Sequence, residues 1–171
     1  MRFTKLIGLL IASLSVSAGA EIIEHYKTKT FLAETVNVIT PEILEITSYL
    51  EKDKGSLSKL YIKIDGLIFD VGDQIACEDN LSSNCERLMS WIEGAEVQFS
   101  LKDQIGKGAF NGTVFVNNEN LRHSMLREGW YKFDYKVGRS RYDILIQKEA
   151  ECKRKGIWRK VTYSVTDERC Q

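Results

Sequence analysis

The order of hydrophobic patterns along this 171-residue chain predicts an α+β fold that is mainly β. Alternating apolar and polar residues predict strands within 27–46, 60–68, 97–101 and 113–116. Helical spacing of apolar residues predicts about three helices, the first over 82–92 and the last over 141–155. The order is therefore strands, helix, strands, helix, helix. The chain has no repeats or low-complexity tracts and only one proline, which fits one globular domain.

Turn and cap residues set the expected ends of these elements. Thr40-Pro41-Glu42 interrupts the first strand region as a turn, and Gly94 ends the first helix. Asn117 or Asn118 is the expected cap of the second helix. Gly129 and Gly156 close the second and third helices. In the third helix, the face expected to pack on the core holds Ile144, Leu145, Lys148 and Cys152.

The N-terminus has the layout of a secretory signal peptide. Arg2 and Lys5 precede an apolar run over 6–16, and Ala18-Gly19-Ala20 supplies the small residues of a cleavage site. A bilayer-spanning helix needs ~20 apolar residues, so this run favours a cleaved signal over an anchor. We expect residues 1–20 to be removed and residues 21–171 to form a single exported domain, either periplasmic or secreted, without a membrane span.

Charge argues against strong binding to nucleic acid by the molecule as a whole. The chain has 24 basic and 24 acidic residues. Removal of Arg2 and Lys5 leaves 24 − 2 = 22 basic residues, so the exported chain carries a net charge near −2. Binders of phosphate backbones usually carry a basic surplus. Two interpretations stay open for the basic residues near the C-terminus: a local patch that binds nucleic acid, or an ordinary solvated surface. These residues are Lys132, Lys136, Arg139, Arg141, Lys148, Lys153, Arg154, Lys155, Arg159 and Lys160.

Four cysteines in an exported chain favour two disulfide bonds. Three pairings are open, and proximity along the chain favours Cys77 with Cys85 and Cys152 with Cys170. Zinc binding is disfavoured, because the chain has no Cys-x-x-Cys pair and its only histidines are His25 and His123. The aromatic residues Trp130, Tyr131, Phe133, Tyr135 and Trp158 are expected mainly in core packing, with base stacking as the alternative.

Residues 112–158 read GTVFVNNENLRHSMLREGWYKFDYKVGRSRYDILIQKEAECKRKGIW: a strand, a polar turn, an amphipathic helix closed by glycine, a loop and a helix ending in Gly-Ile-Trp. This segment resembles the C-terminal half of the staphylococcal nuclease (thermonuclease) family. The resemblance covers about 110 to 125 residues and is strongest at 112–158. It implies an OB-fold barrel of five strands with appended helices, and an enzyme that hydrolyses phosphodiester bonds of DNA and RNA with calcium.

Two positions match the metal ligands of that family. Glu42 falls on the second aspartate of the family's Asp-Gly-Asp-Thr turn, and Asp65 falls on the metal-binding aspartate of its Arg-Leu-x-Gly-Ile-Asp-x-Pro-Glu motif. Carboxylate oxygens are the ligands that calcium prefers. The resemblance thus implies that Glu42 and Asp65 would lie together at the barrel mouth. Glu42 also has an ordinary alternative as a solvated turn residue.

The phosphate-binding and proton-accepting positions match poorly. Leu60 occupies the place of the family's first arginine, and Ile68 occupies the place of its glutamate base. Lys59 and Asp70 could substitute for them if the strand carried a bulge. Lys107, in Asp103-Gln104-Ile105-Gly106-Lys107, stands where the third motif has its second arginine, and lysine lacks the bidentate guanidinium fork.

Two hypotheses follow. In the first, the chain is an exported thermonuclease-like domain with a degenerate site that binds nucleic acid or an envelope protein. In the second, it is a calcium-dependent nuclease with a rearranged site that uses Glu42, Asp65, Asp70, Lys59 and Lys107. Loss of one transition-state donor costs ~10²–10³ in rate and loss of a general base ~10²–10⁴. These magnitudes favour the first hypothesis.

Overall fold

The structure is a computed structural model that describes residues 29–50, 55–69, 76–78, 83–137, 140–160 and 170. The expected signal peptide at 1–20 and the candidate residue Asp70 lie outside these ranges. None of the helices within the described ranges is long and apolar enough to cross a bilayer.

The described chain is an α+β structure made mainly of strands. It contains β1 (Phe31–Leu32), β2 (Thr35–Thr40), β3 (Ile43–Ser48), β4 (Ser58–Ile64), β5 (Leu67–Ile68), α1 (Ser83–Ile92), β6 (Val97–Gly106), β7 (Ala109–Val116), β8 (Glu119–Asn120), α2 (Leu121–Arg127), β9 (Lys132–Phe133), α3 (Arg141–Cys152) and a 3-10 helix (Gly156–Lys160). The predicted element order and the three helices are confirmed.

The main sheet curls into a barrel in the order β1-β6-β7-β4-β3-β2, with β8 added to β7 and a separate β5-β9 pair. Its two edge strands, β1 and β2, are separated only by Ala33 and Glu34. The amide of Ala33 donates to Val97 on β6 at 2.9 Å, and the amide of Glu34 donates to Thr47 on β3 at 2.8 Å. The continuous segment from β1 to β2 thus pairs with β6 on one side and with β3 on the other. The curled sheet and its helices are consistent with the predicted OB-type architecture.

The barrel core consists of alternate strand residues that point inward. This alternation is what a strand with one buried face requires, and each fully buried aliphatic side chain contributes ~1.5–3 kcal/mol. Helices α1 and α2 contribute Leu88, Met125 and Leu126, all with no exposed surface. The inward strand residues include Leu44, Ile46, Ile62, Ile64, Phe99, Leu101 and Val114.

Both predicted disulfide pairings are present. Cys77 pairs with Cys85 in the first turn of α1, with Cα atoms 5.8 Å apart. Cys152 at the end of α3 pairs with Cys170, with Cα atoms 5.5 Å apart. Disulfides form and persist in oxidising compartments, so this pair of bridges favours an extracytoplasmic location.

The cap of α2 differs from the prediction. Asn120, rather than Asn117 or Asn118, precedes the helix, and its side-chain oxygen accepts from the amide of Arg122 at 3.0 Å. Asn117 and Asn118 have φ values of 51° and 65° and form the tight turn between β7 and β8. Asparagine tolerates this left-handed conformation, so these two residues serve the hairpin and leave capping to Asn120.

The buried face of α3 also differs from the prediction. The helix ends at Cys152, earlier than expected, and Leu145 is 62% exposed. Two polar side chains, Asp143 and Gln147, are buried instead, together with Ile146 and Ala150. Gln147 accepts from the backbone amide of Phe133 at 2.6 Å, which offsets the cost of its burial. The predicted face is therefore only partly buried, since Ile144 packs against the core while polar residues anchor the helix beside it.

Candidate functional site

The two predicted metal-ligand positions lie at the same end of strand β4. The Thr40 hydroxyl accepts from the amides of Glu42 at 3.2 Å and Ile43 at 3.0 Å, which fixes the β2–β3 turn. The carbonyl of Glu42 in turn accepts from the amide of Ile64 at 2.9 Å, one residue before Asp65. The backbone at Glu42 is thus adjacent to the segment that carries Asp65.

Each of these two carboxylates is already paired with cationic side chains. Lys63 Nζ lies 2.5 Å from Glu42 Oε1. Lys102 Nζ lies 2.7 Å from Asp65 Oδ2, and Arg122 Nη1 lies 3.2 Å from Asp65 Oδ1. The side chains of Glu42 and Asp65 are only 12% and 15% exposed. Three cationic side chains therefore lie within ion-pair distance of these two carboxylates.

Gly66 makes room for the arginine beside Asp65. Its φ of +78° suits glycine, and a Cβ built there would lie 3.0 Å from Arg122 Nη1 and 3.2 Å from Arg122 Cδ. Because Gly66 has no side chain, the turn after β4 leaves room for the guanidinium group of Arg122. Strand β4, strand β6 and helix α2 meet at this point.

The ion pairs continue to a buried carboxylate on α3. Arg122 Nη2 lies 3.1 Å from Asp143 Oδ2, and His123 Nε2 lies 3.0 Å from Asp143 Oδ1. The Asp143 side chain has no exposed surface. Neither of its oxygens has a well-aligned hydrogen-bond donor among the described residues, so its stabilisation is mainly electrostatic. We define the mouth cluster as Glu42, Lys63, Asp65, Lys102, Arg122, His123 and Asp143.

The pKa of His123 lies below its ordinary value of 6.5. The main cause is desolvation, because the partly buried imidazole loses hydration that would favour its charged form. The Asp143 carboxylate acts in the opposite direction, while Arg122 and Arg127 add to the lowering. The neutral imidazole is therefore the favoured form at neutral pH, and the fixed charges of the mouth cluster are those of its acids, lysines and arginine.

The charges of the mouth cluster balance. Its three carboxylates face two lysines and one arginine at ion-pair distance. Two unit charges 4 Å apart interact by ~4 kcal/mol at an effective dielectric constant of ~20. A divalent cation binding here would compete with these resident cations for the same carboxylates. Across the described ranges, no group of three or more His, Cys, Asp or Glu side chains has metal-site geometry.

The structure does not bring Lys59 and Lys107 to Asp65. Lys59 is six residues before Asp65, which corresponds to ~20 Å at the rise of ~3.3 Å per residue in a strand. Its ammonium group instead pairs with Glu45 at 2.7 Å, and this contact lowers the pKa of Glu45. Lys107 lies in the β6–β7 turn, next to Gly108, where an added Cβ would lie 3.8 Å from the carbonyl oxygen of Lys59. Both lysines are thus at the end of β4 opposite Asp65.

The two apolar replacements have different surroundings. Leu60 is 6% exposed and packs in the barrel core, whereas Ile68 on β5 is 47% exposed. Neither side chain can bind a phosphate or accept a proton. Strand β4 has an unshifted register with β3, from Ile43 opposite Lys63 to Ser48 opposite Ser58. The bulge that would bring Lys59 into the arginine position is not present there.

A second concave region, the tryptophan groove, lies between α1, α2 and the 3-10 helix. Its volume is about 930 Å³, within the usual range of ligand sites, ~300–1,000 Å³. The Trp91 and Trp130 rings stack there with centroids 4.2 Å apart and an interplanar angle of 21°. Arg87 Cζ lies 5.5 Å from the Trp130 ring centroid. Further cations on the groove lining are Arg127, Lys155 and Arg159.

Sequence reasoning missed Lys102, Arg122 and Asp143, which hold the mouth cluster together. Lys102 and Arg122 are 37 and 57 residues from Asp65, so no local pattern links them. Asp143 follows Ser140, whose hydroxyl accepts from the Asp143 amide at 3.2 Å. Acidic residues are common in the first turn of exposed, capped helices. The sequence therefore gives no sign that Asp143 is buried.

No protein-family model matches this chain, and no curated protein is similar enough to it to count as a relative. The likeness to thermonucleases therefore stays an expectation based on the residues that carry it.

Proposed function

We propose that this protein is an exported binding module built on an OB-type barrel, in which a nuclease-type site is degenerate. It holds no catalytic metal and recognises another molecule instead. Export to the periplasm or the cell exterior is part of the proposal, with the disulfides and the expected signal at 1–20 as support. The thermonuclease resemblance supplies the ancestry that this proposal assumes.

The observation that carries the proposal is the pairing of both predicted metal ligands with cationic side chains. Glu42 is paired with Lys63, and Asp65 is held between Lys102 and Arg122. A calcium site needs several oxygen ligands with uncompensated negative charge. Here the charge is already compensated, so the cluster is better suited to joining β4, β6, α2 and α3 than to binding a metal.

The alternative, a calcium-dependent nuclease with a rearranged site, has less support. It requires Lys59 and Lys107 to act beside Asp65, yet both lie at the other end of β4. Arg122 does place a guanidinium group next to Asp65, but both of its terminal nitrogens face carboxylates. A clamp for the transition-state phosphate needs donors directed at the reacting group rather than at protein acids.

A cleavage assay tests the proposal directly. The purified, disulfide-bonded protein is incubated with single-stranded DNA and with RNA, in calcium and in chelator, with staphylococcal nuclease as the positive control. We expect no calcium-dependent cleavage, because the carboxylates of Glu42 and Asp65 are paired with cationic side chains and the two candidate lysines lie at the other end of β4. Calcium-dependent cleavage that disappears in Asp65→Ala, while the variant stays folded, would instead establish the nuclease alternative.

A further inference from the structure

We propose that the tryptophan groove binds an acidic segment of a partner protein that carries apolar side chains between its carboxylates. This inference rests on the proposed function, since it assigns a ligand class to the binding module. The groove is separate from the mouth cluster, and none of the mouth-cluster residues lines it.

The groove has an apolar floor that can hold a side chain. Trp91 is half-buried and stacks on Trp130, which is 9% exposed. Val116, Leu121 and Ile157 complete the apolar part of the lining. Stacked tryptophans present a large rigid surface at low entropic cost, and such surfaces dominate the energy of many interfaces. A Phe, Leu or similar side chain of a partner would lose water-exposed area here.

The charges around this floor favour an anionic ligand. Four cations line the groove: Arg87, Arg127, Lys155 and Arg159. Two of them already have carboxylate partners within the groove. Arg127 pairs with Glu119, and Lys155 pairs with Glu128 at 2.8 Å.

The other two cations, Arg87 and Arg159, are exposed and have no carboxylate partner in the part of the chain that the structure describes. The lining thus has four positive and two negative side chains, a local surplus of 4 − 2 = 2 positive charges. This surplus lies on a molecule with no excess of basic residues. A ligand with a few spaced carboxylates would complement it.

A peptide fits this arrangement better than a nucleic acid does. Nucleic-acid affinity comes mainly from neutralising many phosphates in succession, with release of their counterions. Glu119 and Glu128 stand on the groove wall, with 52% and 42% of their side chains exposed, and would repel a continuous phosphate backbone. A peptide can present carboxylates to Arg87 and Arg159 and place uncharged residues next to the two glutamates.

A binding experiment with defined probes tests this inference. The acidic probe is a blocked peptide of about eight residues, at most ~28 Å long when extended, with spaced Glu and Phe residues. Its controls are the same peptide with Gln for Glu, and with Ala for Phe. An oligothymidine of about eight nucleotides is the nucleic-acid probe. Binding to the full exported chain is followed by intrinsic fluorescence, since two of the three tryptophans lie in the groove.

Variants locate the binding. Arg87→Ala and Arg159→Ala should each weaken binding of the acidic peptide by about three- to tenfold, and Arg87→Glu should weaken it further. Arg141→Ala is the matched control, because Arg141 is also exposed, its loss removes the same charge, and it lies outside the groove. All three side chains are on the surface, and thermal unfolding confirms that each of the four variants keeps its fold.

The expected result is binding of the acidic peptide that depends on both its Glu and its Phe residues, is weakened by the groove variants and is unchanged in Arg141→Ala. Tighter binding of oligothymidine with the same variant dependence would overturn the inference and assign the groove to nucleic acid. Binding of neither probe, or peptide binding insensitive to Arg87 and Arg159, would also overturn it. The cleavage assay is independent of these results, so failure here is distinguishable from failure of the proposed function.

Discussion

Asp143 is the residue whose environment says most about the mouth cluster. Its carboxylate has no exposed surface, and it faces the guanidinium group of Arg122 and the imidazole of His123. Burying an unpaired carboxylate costs many kcal/mol, whereas a paired one is tolerated when its partners are fixed. Arg122 is fixed because its other terminal nitrogen faces Asp65. A single guanidinium group thereby links the barrel to helix α3.

The lowered pKa of His123 predicts a pH dependence of stability. The unfolded state binds its proton near pH 6.5 and the folded state only at lower pH. Between these two pKa values the unfolded state holds more protons, so the free energy of unfolding falls as the pH drops below about 6.5. Chemical denaturation at pH 7.5, 6.5 and 5.5 measures this fall, above the range in which carboxylates titrate, about pH 4.

His123→Gln removes the titrating group and should flatten the stability profile between about pH 5.5 and 7.5. His25→Gln is the matched control, since His25 is the only other histidine in the chain. A profile that stays equally steep in His123→Gln would contradict the assignment of the lowered pKa to this residue.

At the level of elements, the strands and the three helices were predictable from sequence, but the buried face of the third helix was not. Strands β3 and β4 follow simple alternation, so Leu44, Ile46 and Ile62 identify their buried face directly from sequence. Helix α3 buries Asp143 and Gln147 through partners on α2 and β9, and those partners exist only after folding. A prediction that places every polar residue in solvent fails where residues from other elements supply hydrogen bonds or opposite charges to a buried polar side chain.

Gly112 on strand β7 lies where an added side chain would meet both neighbouring strands. It pairs with Ile64 on β4 and with Leu101 on β6. A Cβ there would lie 2.7 Å from the carbonyl oxygen of Ser100 and 2.8 Å from Ile62 Cγ2. Because the oxygen belongs to the backbone of a paired strand, it cannot move away without disturbing the ladder.

We therefore expect Gly112→Ala to destabilise the protein by about 1–3 kcal/mol, the usual cost of overpacking a core. Gly106→Ala is the matched control, since a Cβ at that strand glycine would meet only Ala109 Cβ at 3.6 Å, an ordinary contact. Urea denaturation of both variants measures the difference. Equal stability of the two variants would show that the barrel relaxes around Gly112.

At the scale of the whole molecule, sequence patterns predicted where Glu42 and Asp65 lie but not that their charges are compensated by cationic side chains. Glu42 and Asp65 were expected at one end of the barrel, and hairpin geometry alone brings their strands together there. Whether their charges are free depends on Lys63, Lys102 and Arg122. Lys63 is two residues before Asp65, but Lys102 and Arg122 arrive from β6 and α2 through the closure of the barrel. That closure is a long-range property that no local motif encodes.

The compensated mouth cluster predicts that calcium does not stabilise the fold. A ligand that binds only the folded state raises its stability by RT ln(1 + [L]/Kd), or ~2.7 kcal/mol when the ligand is at 100 times its Kd. For a domain of this size that corresponds to a rise in Tm of roughly 5–10 °C. A functional calcium site would therefore be visible in thermal unfolding.

We expect the same Tm in calcium chloride, in magnesium chloride and in chelator with sodium chloride of matched ionic strength, because Lys63, Lys102 and Arg122 hold the carboxylates that a metal would need. A rise in Tm specific to calcium, and lost in Asp65→Asn, would show that the ion displaces these cations and that Asp65 is a metal ligand after all.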